Sequence, residues 1–118
     1  MSGADPLSSN PHFYNPLPAN PVRGEAALRV AGVEVVLRPT FAALVAAEGE
    51  LGSLFALVER AAEGRMTLAE MVGLFWHCRH DVPAGVTRER MGEAVAAAGL
   101  AAATPVLGVL LRQVLAGR

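Results

Sequence analysis

The run Trp76-His77-Cys78-Arg79-His80-Asp81 gathers the side chains of this protein best suited to chemistry. His77, Cys78, His80 and Asp81 are all metal-ligand types, and His77 and Asp81, four residues apart, would share a helix face if the helix ran that far. Cys78 and His80 would then point elsewhere. A closed tetrahedral site needs further ligands, and outside this run the remaining histidine is His12, in a proline-rich segment. A simpler assignment places Trp76 in the core, makes Cys78 a small buried hydrophobe, and sets both histidines at the negative end of a helix dipole.

Nucleophilic catalysis by Cys78 would require a base within reach and a third group to orient that base. Its histidine neighbours do not meet this need, because residues adjacent in a helix do not face each other. Glu48, Glu50, Glu59, Glu63, Glu70, Glu89 and Glu93 are scattered over expected solvent faces, with Glu70 reserved for a helix cap. The glycines fall at helix ends, so no glycine-rich phosphate cradle follows a strand. The residues therefore predict a protein that is not an enzyme and holds no cofactor or metal.

These side chains would be carried on a hairpin followed by about five short helices, an α+β fold. In "RGEAALRVAGVEVVLRPTF", a two-residue loop at Ala31-Gly32 pairs Val30 with Val33, Leu28 with Val35 and Ala26 with Leu37 on one apolar face. The same register pairs Arg29 with Glu34 and Glu25 with Arg38 on the other. Ala31 suits a type I′ turn poorly, which leaves a bulged turn as the alternative. Pro39 ends the second strand and Thr40 caps a helix opening at Phe41, with Phe41, Leu44, Val45, Glu48 and Leu51 as its stripe. Ser53 caps a second helix with Leu54, Leu57, Val58 and Ala61 inward, closed by Gly64 in the left-handed conformation.

Thr67 and Glu70 form a capping box, with Met66 stapled onto Met71, and open a third helix. That helix runs to about Arg79 and buries Leu68, Met71, Val72, Phe75 and Trp76. After the loop "DVPAGV", Thr87 starts a fourth helix that ends at Gly99, with Met91, Ala94, Val95 and Ala98 spaced for one face. Thr104 as N-cap and Pro105 at the first helical position start the last helix. Its Val106, Leu107, Val109, Leu110, Leu111, Val114 and Leu115 exceed one buried stripe, so some should face outward. Leu107, Leu111, Val114 and Leu115 are the candidate partner-binding residues.

With 118 residues, the chain divides into a proline-rich leader over 1–22 and one domain over 23–118. Pro6, Pro11, Pro16, Pro18 and Pro21 among Ser, Asn and Ala deny regular helix and predict a flexible arm, in which His12-Phe13-Tyr14 is the sticky part, either chance aromatics in a tail or a docking peptide. Net charge is −1, and Glu89 and Glu93 interleave Arg79, Arg88 and Arg90, which argues against a nucleic-acid reader. The uncharged stretch from Ala94 to Leu111 has the length of a short membrane span, but Gly99 and Thr104-Pro105 break it, and no membrane partner is expected. A single cysteine fits a reducing bacterial cytoplasm, and no secretory signal pattern opens the chain.

The segment "NPVRGEAALRVAGVEVVLRPTFAALVAAEGELGSL", the helix ending "ERAAEGRMTL" and the run "LFWHCRHD" together resemble the tail assembly chaperone-like proteins of gene transfer agents and related siphophages. The likeness covers residues 20 to about 115 and rests on segment order and the strand-"LRPTF"-helix junction. It implies a cytoplasmic helper that holds the tape measure protein soluble while the tail tube polymerises around it, and that leaves before the particle is complete. Tape measure protein, and with it tail tube protein, are the implied partners. The hairpin's outer edge is open to pairing with a partner or with itself as a homo-oligomer. Two other classes remain beside the chaperone. One is a minor tube-associated tail component retained in the particle; the other is a small metal-binding or regulatory protein centred on His77, His80 and Asp81.

Overall fold

The computed structural model describes Ala19 and residues 25–116, so the leader over 1–22, with its His12-Phe13-Tyr14 island, lies outside the described residues apart from Ala19. The order of elements is β1 (Ala26–Val30), β2 (Val33–Leu37), α1 (Phe41–Leu51), α2 (Leu54–Ala62), α3 (Leu68–Cys78), β3 (Arg79–His80), α4 (Arg88–Ala98) and α5 (Leu100–Ala116). This is an α+β fold in which five helices pack with a small antiparallel sheet of order β1-β2-β3.

The hairpin takes the register that its two faces demand. Ala26 pairs with Leu37, Leu28 with Val35, Arg29 with Glu34 and Val30 with Val33. Ala31 and Gly32 both take positive φ, 51° and 80°, as a type I′ loop requires, so no bulge is needed. Of the apolar face, Ala26, Val30, Val35 and Leu37 are buried, while Leu28 and Val33 are half-buried at its margin. On the charged face Arg38 Nε donates to Glu25 Oε2 at 2.6 Å. Arg29 stands opposite Glu34 in the ladder as expected, but its guanidinium turns back to the Gly32 carbonyl at 2.9 Å rather than to that carboxylate.

The third strand is a departure from the sequence reading. The third helix ends at Cys78, with Arg79 as its C-cap and close to the expected end, but Arg79 and His80 then pair with Leu37 and Val36. The Arg38 amide also donates to the Cys78 carbonyl at 2.7 Å. The open edge of β2 offers ladder partners that another half-turn of helix could not supply, and unpaired backbone groups are costly when buried. Arg79 then lies over the Trp76 ring, 3.5 Å from its centroid.

The helix caps follow the chain's local chemistry. Thr40, Ser53, Thr67 and Thr87 each accept from an amide in the first turn of the helix they open. The capping box is complete, because Glu70 also accepts from the Thr67 amide. Met66 packs against the core cluster that contains Met71. Gly64 has φ 73°, and the bonds from Gly64 to Ala61 and from Arg65 to Arg60 make the reciprocal pair of a Schellman ending.

Several helix faces turn differently from the sequence expectation. On α1 the face toward the core is Ala43, Leu44, Ala47 and Leu51, while Phe41 is 84% exposed and Val45 is 50% exposed. Glu48 leaves the apolar stripe and accepts from the Leu54 amide at 3.2 Å, tying α1 to the start of α2. On α3, Leu68 is exposed and Trp76 half-buried, and Leu74 and Cys78 are fully buried. On α4, Met91 and Val95 are buried and Ala98 is exposed.

The last helix begins at Leu100, so Pro105 lies inside it and Thr104 is not its cap. Proline costs an interior helix one backbone bond. Gly99, at φ 92°, supplies the true break, and its carbonyl accepts from Ala102 and Ala103. Thr104 instead donates its hydroxyl back to the Leu100 carbonyl at 2.8 Å. Gly99 bends α4 from α5 by 119°, and among the described residues no single helix is long and apolar enough to cross a membrane.

The core joins Val30, Val35 and Leu37 of the sheet to Leu57, Leu74, Phe75, Met91, Val95 and Leu110 of four helices, all fully buried. Each such side chain contributes about 1.5–3 kcal/mol through removal from water. Gly73 permits the closest approach within this packing: a Cβ there would stand 2.9 Å from Arg88 Nη2 and 3.1 Å from Leu51 Cδ2.

Candidate partner-binding groove

The Trp76–Asp81 run does not converge on one centre. Because α3 stops at Cys78 and Asp81 takes φ 51°, His77 and Asp81 no longer share a helix face. His77 Nε2 lies 2.7 Å from Glu50 Oε1 of α1, whereas His80 Nε2 lies 3.0 Å from Arg38 Nη1 of the hairpin. The two imidazoles thus belong to separate charged networks, Glu50–His77–Arg88 and Glu25–Arg38–His80. Among the described residues no group of three or more His, Cys, Asp or Glu side chains stands close enough to hold a metal ion.

Glu50 is held down to about 2 by its hydrogen bonds to Arg88 and then His77, so it stays ionised at any ordinary pH. Cys78 is the opposite case. Burial pushes its thiol up to about 12, which suppresses the thiolate a nucleophile or a metal ligand must supply.

A different surface remains open. The helices α2 and α5 lie either side of a groove of about 390 Å³, lined by Val58, Ala61 and Ala62 from α2 and by Thr104, Leu107, Gly108, Leu111, Arg112 and Leu115 from α5. The α5 residues recur at helical spacing and so form one stripe along the helix. Three of the lining residues are Ala or Gly, and a Cβ placed on Gly108 would meet nothing within 4 Å. Small side chains make the room, leucines and Val58 make the apolar walls, and Arg112 is the charged group beside them.

Of the four candidate residues, Leu107, Leu111 and Leu115 line this groove and Val114 does not. Leu107 is 7% exposed and belongs to the core as much as to the groove wall. Leu111 is half-buried, and Leu115, at 60% exposed, stands at the open rim. Val114 is half-buried and packs against the core cluster. The sequence pattern sets Val58 and Ala61 inward together with Leu54 and Leu57, which hides the α2 side of the groove. The two sets lie on adjoining faces, and only Leu54 and Leu57 are buried. The run Val58, Ala61, Ala62, at i, i+3 and i+4, is the signal that could have revealed a second face.

Comparison with known proteins places the chain in a family. Residues 23–117 match the family described as phage tail tube protein, GTA-gp10. The chain belongs to that family. No curated protein and no solved structure matches it. GTA-gp10 membership agrees with the resemblance to gene transfer agent and phage tail proteins, and its match spans the hairpin, every helix and both sides of the groove. The family description names the tail tube rather than an assembly chaperone.

Proposed function

We propose that this GTA-gp10 family member is a non-enzymatic helper of tail assembly that works in the bacterial cytoplasm. It covers apolar helical segments of the tape measure protein before the tube closes around them. The observation that carries the reading is the apolar groove between α2 and α5, in a chain of a phage tail family. A long helix with an exposed apolar stripe is prone to aggregate until its tube surrounds it, and a groove lined by leucine and alanine is a suitable temporary cover. Leu111 and Leu115 would supply contact, Ala61, Ala62 and Gly108 close approach, and Arg112 a charge at the margin.

Co-expression with the tape measure protein of the same gene cluster, followed by pull-down, tests this role. The wild-type chain should keep that protein soluble and co-purify with it, and Leu111→Glu together with Leu115→Glu should abolish both effects. A tape measure protein left insoluble and unbound by the wild-type chain would sink the proposal.

The family description favours a second reading, in which the chain is a tube-associated component retained in the particle. Proteomics of purified particles separates the two. The helper reading expects the chain to be absent from mature particles, whereas the structural reading expects it at a stoichiometry comparable to the tube.

A further inference from the structure

β1 forms one edge of the sheet, and the direction of its backbone groups follows from a contact on the far side of the neighbouring β2. The Arg38 amide points toward β3, where it donates to the Cys78 carbonyl. Backbone groups alternate in direction along a strand, so Val33, Val35 and Leu37 turn theirs toward β1 and meet Val30, Leu28 and Ala26. Ala27 and Arg29 consequently direct their amides and carbonyls outward. Among the described residues nothing is bonded to those outward groups.

Of the devices that blunt a sheet edge, this one carries a single charge, Arg29, and a short strand. β1 reads Ala-Ala-Leu-Arg-Val, without proline or lysine, and its ladder with β2 runs without a bulge. Leu28, at the middle of the strand, is only half-buried although its partner Val35 is fully buried.

We propose that β1 is a self-association edge, pairing antiparallel with β1 of a second copy about a two-fold axis through Leu28. Residues 26–30 then overlap over their full length, and the three-stranded sheets become one continuous sheet across the dimer. Ala27 stands opposite Arg29 of the other copy in both directions, so the free groups satisfy one another in about four hydrogen bonds. Moving the axis by one residue to Arg29 would set the two arginines directly opposite, an arrangement that like charges disfavour. Leu28 meets its own counterpart at the axis and covers the apolar margin that the single chain leaves open. A second copy is the occupant that the edge specifies, because an isologous contact needs a self-complementary strand and β1 is one. The inference is independent of the groove, which lies on α2 and α5.

Sedimentation equilibrium of the full chain should show a monomer–dimer equilibrium. Ala27→Pro removes one outward amide and leaves the β2 ladder intact, because proline is tolerated where the amide faces away from the sheet. It should be monomeric at every concentration, with unchanged circular dichroism and the melting temperature of the dilute wild-type monomer. In the proposed pairing the two Leu28 Cα atoms form a non-hydrogen-bonded pair about 4.5 Å apart, within disulfide range. Mild oxidation should therefore link Leu28→Cys into a covalent dimer, while Ala27→Cys, two residues out of register with itself, should stay monomeric. The native Cys78 is buried and will not compete. A wild-type chain that stays monomeric, a folded Ala27→Pro dimer, or a wild-type dimer without the Leu28→Cys link would overturn the proposal. If Ala27→Pro fails to fold, the cysteine pair decides alone.

Discussion

Arg88 at the start of α4 reaches past α3 and grips Glu50 of α1 with both terminal nitrogens, Nη1 lying 2.8 Å from Oε1. Gly73 provides the passage, since its missing Cβ would stand 2.9 Å from Arg88 Nη2. Three helices far apart in sequence are thereby held by one carboxylate, with His77 of α3 on the same oxygen.

The linkage gives acid stability a defined window. Glu50 has a folded pKa of about 2 against an ordinary 4.5, a depressed carboxylate, so its contribution is complete above about pH 4.5 and drains as pH falls toward 2. Glu50→Gln should lower the melting temperature at neutral pH and flatten its fall across that window, converging on wild type at the acid end. Glu70, also lowered by the Thr67 amide and Arg60, leaves a residual slope in both proteins. Parallel melting profiles for wild type and variant would show that the Glu50 linkage contributes nothing.

The hairpin loop carries correctable strain. Ala31 sits at φ 51°, in a region that costs a residue with a Cβ roughly 1–2 kcal/mol. Asparagine tolerates that conformation, and Asn-Gly is the preferred pair for this loop. Ala31→Asn should raise stability by about 0.5–1 kcal/mol in urea denaturation, judged from the cost removed. An unchanged or lower midpoint would contradict the turn geometry.

Leu107 and Leu115 should separate folding from binding. Leu107→Glu places a carboxylate in the core and should lose several kcal/mol, on the order of 3–5, by the cost of an unpaired buried charge. Leu115→Glu changes a rim residue and should stay within about 0.5 kcal/mol of wild type. Equal shifts in urea midpoint would mean that α5 does not present these two faces.

Cys78 should be chemically silent. Its fully buried thiol, pushed up to about 12, has almost no thiolate at mildly alkaline pH. A thiol-reactive chromogenic reagent should report no titratable group until denaturant is added, and then one per chain. Rapid reaction of the native protein would require Cys78 to be accessible.

How much of this was legible in the sequence varied with the range of the interaction. The hairpin register, the Thr67–Glu70 box and the caps at Thr40, Ser53 and Thr87 were all readable, because each is decided by residues within a few positions or by alternation along one strand. The candidate surface was readable in part. An apolar excess on the last helix pointed to Leu107, Leu111 and Leu115, but the α2 wall went unseen because Val58 and Ala61 are as apolar as the core pair Leu54 and Leu57.

What the sequence determined by itself was therefore local: where most helices start, which strand residues face each other, and that apolar surface is plentiful. The tertiary structure decided the rest. Nothing between His77 and Asp81 stops a helix, and only the unpaired edge of β2 turns Arg79 and His80 into a strand. Pro105 signals a helix start, yet the packing of Ala103 and Leu107 in the core carries α5 through it from Gly99. Phe41 and Val45 look like core residues until Ala47 and Leu51 face the other helices and leave them outside. Burial depends on which surfaces meet, and that is set by contacts between segments that no local pattern encodes.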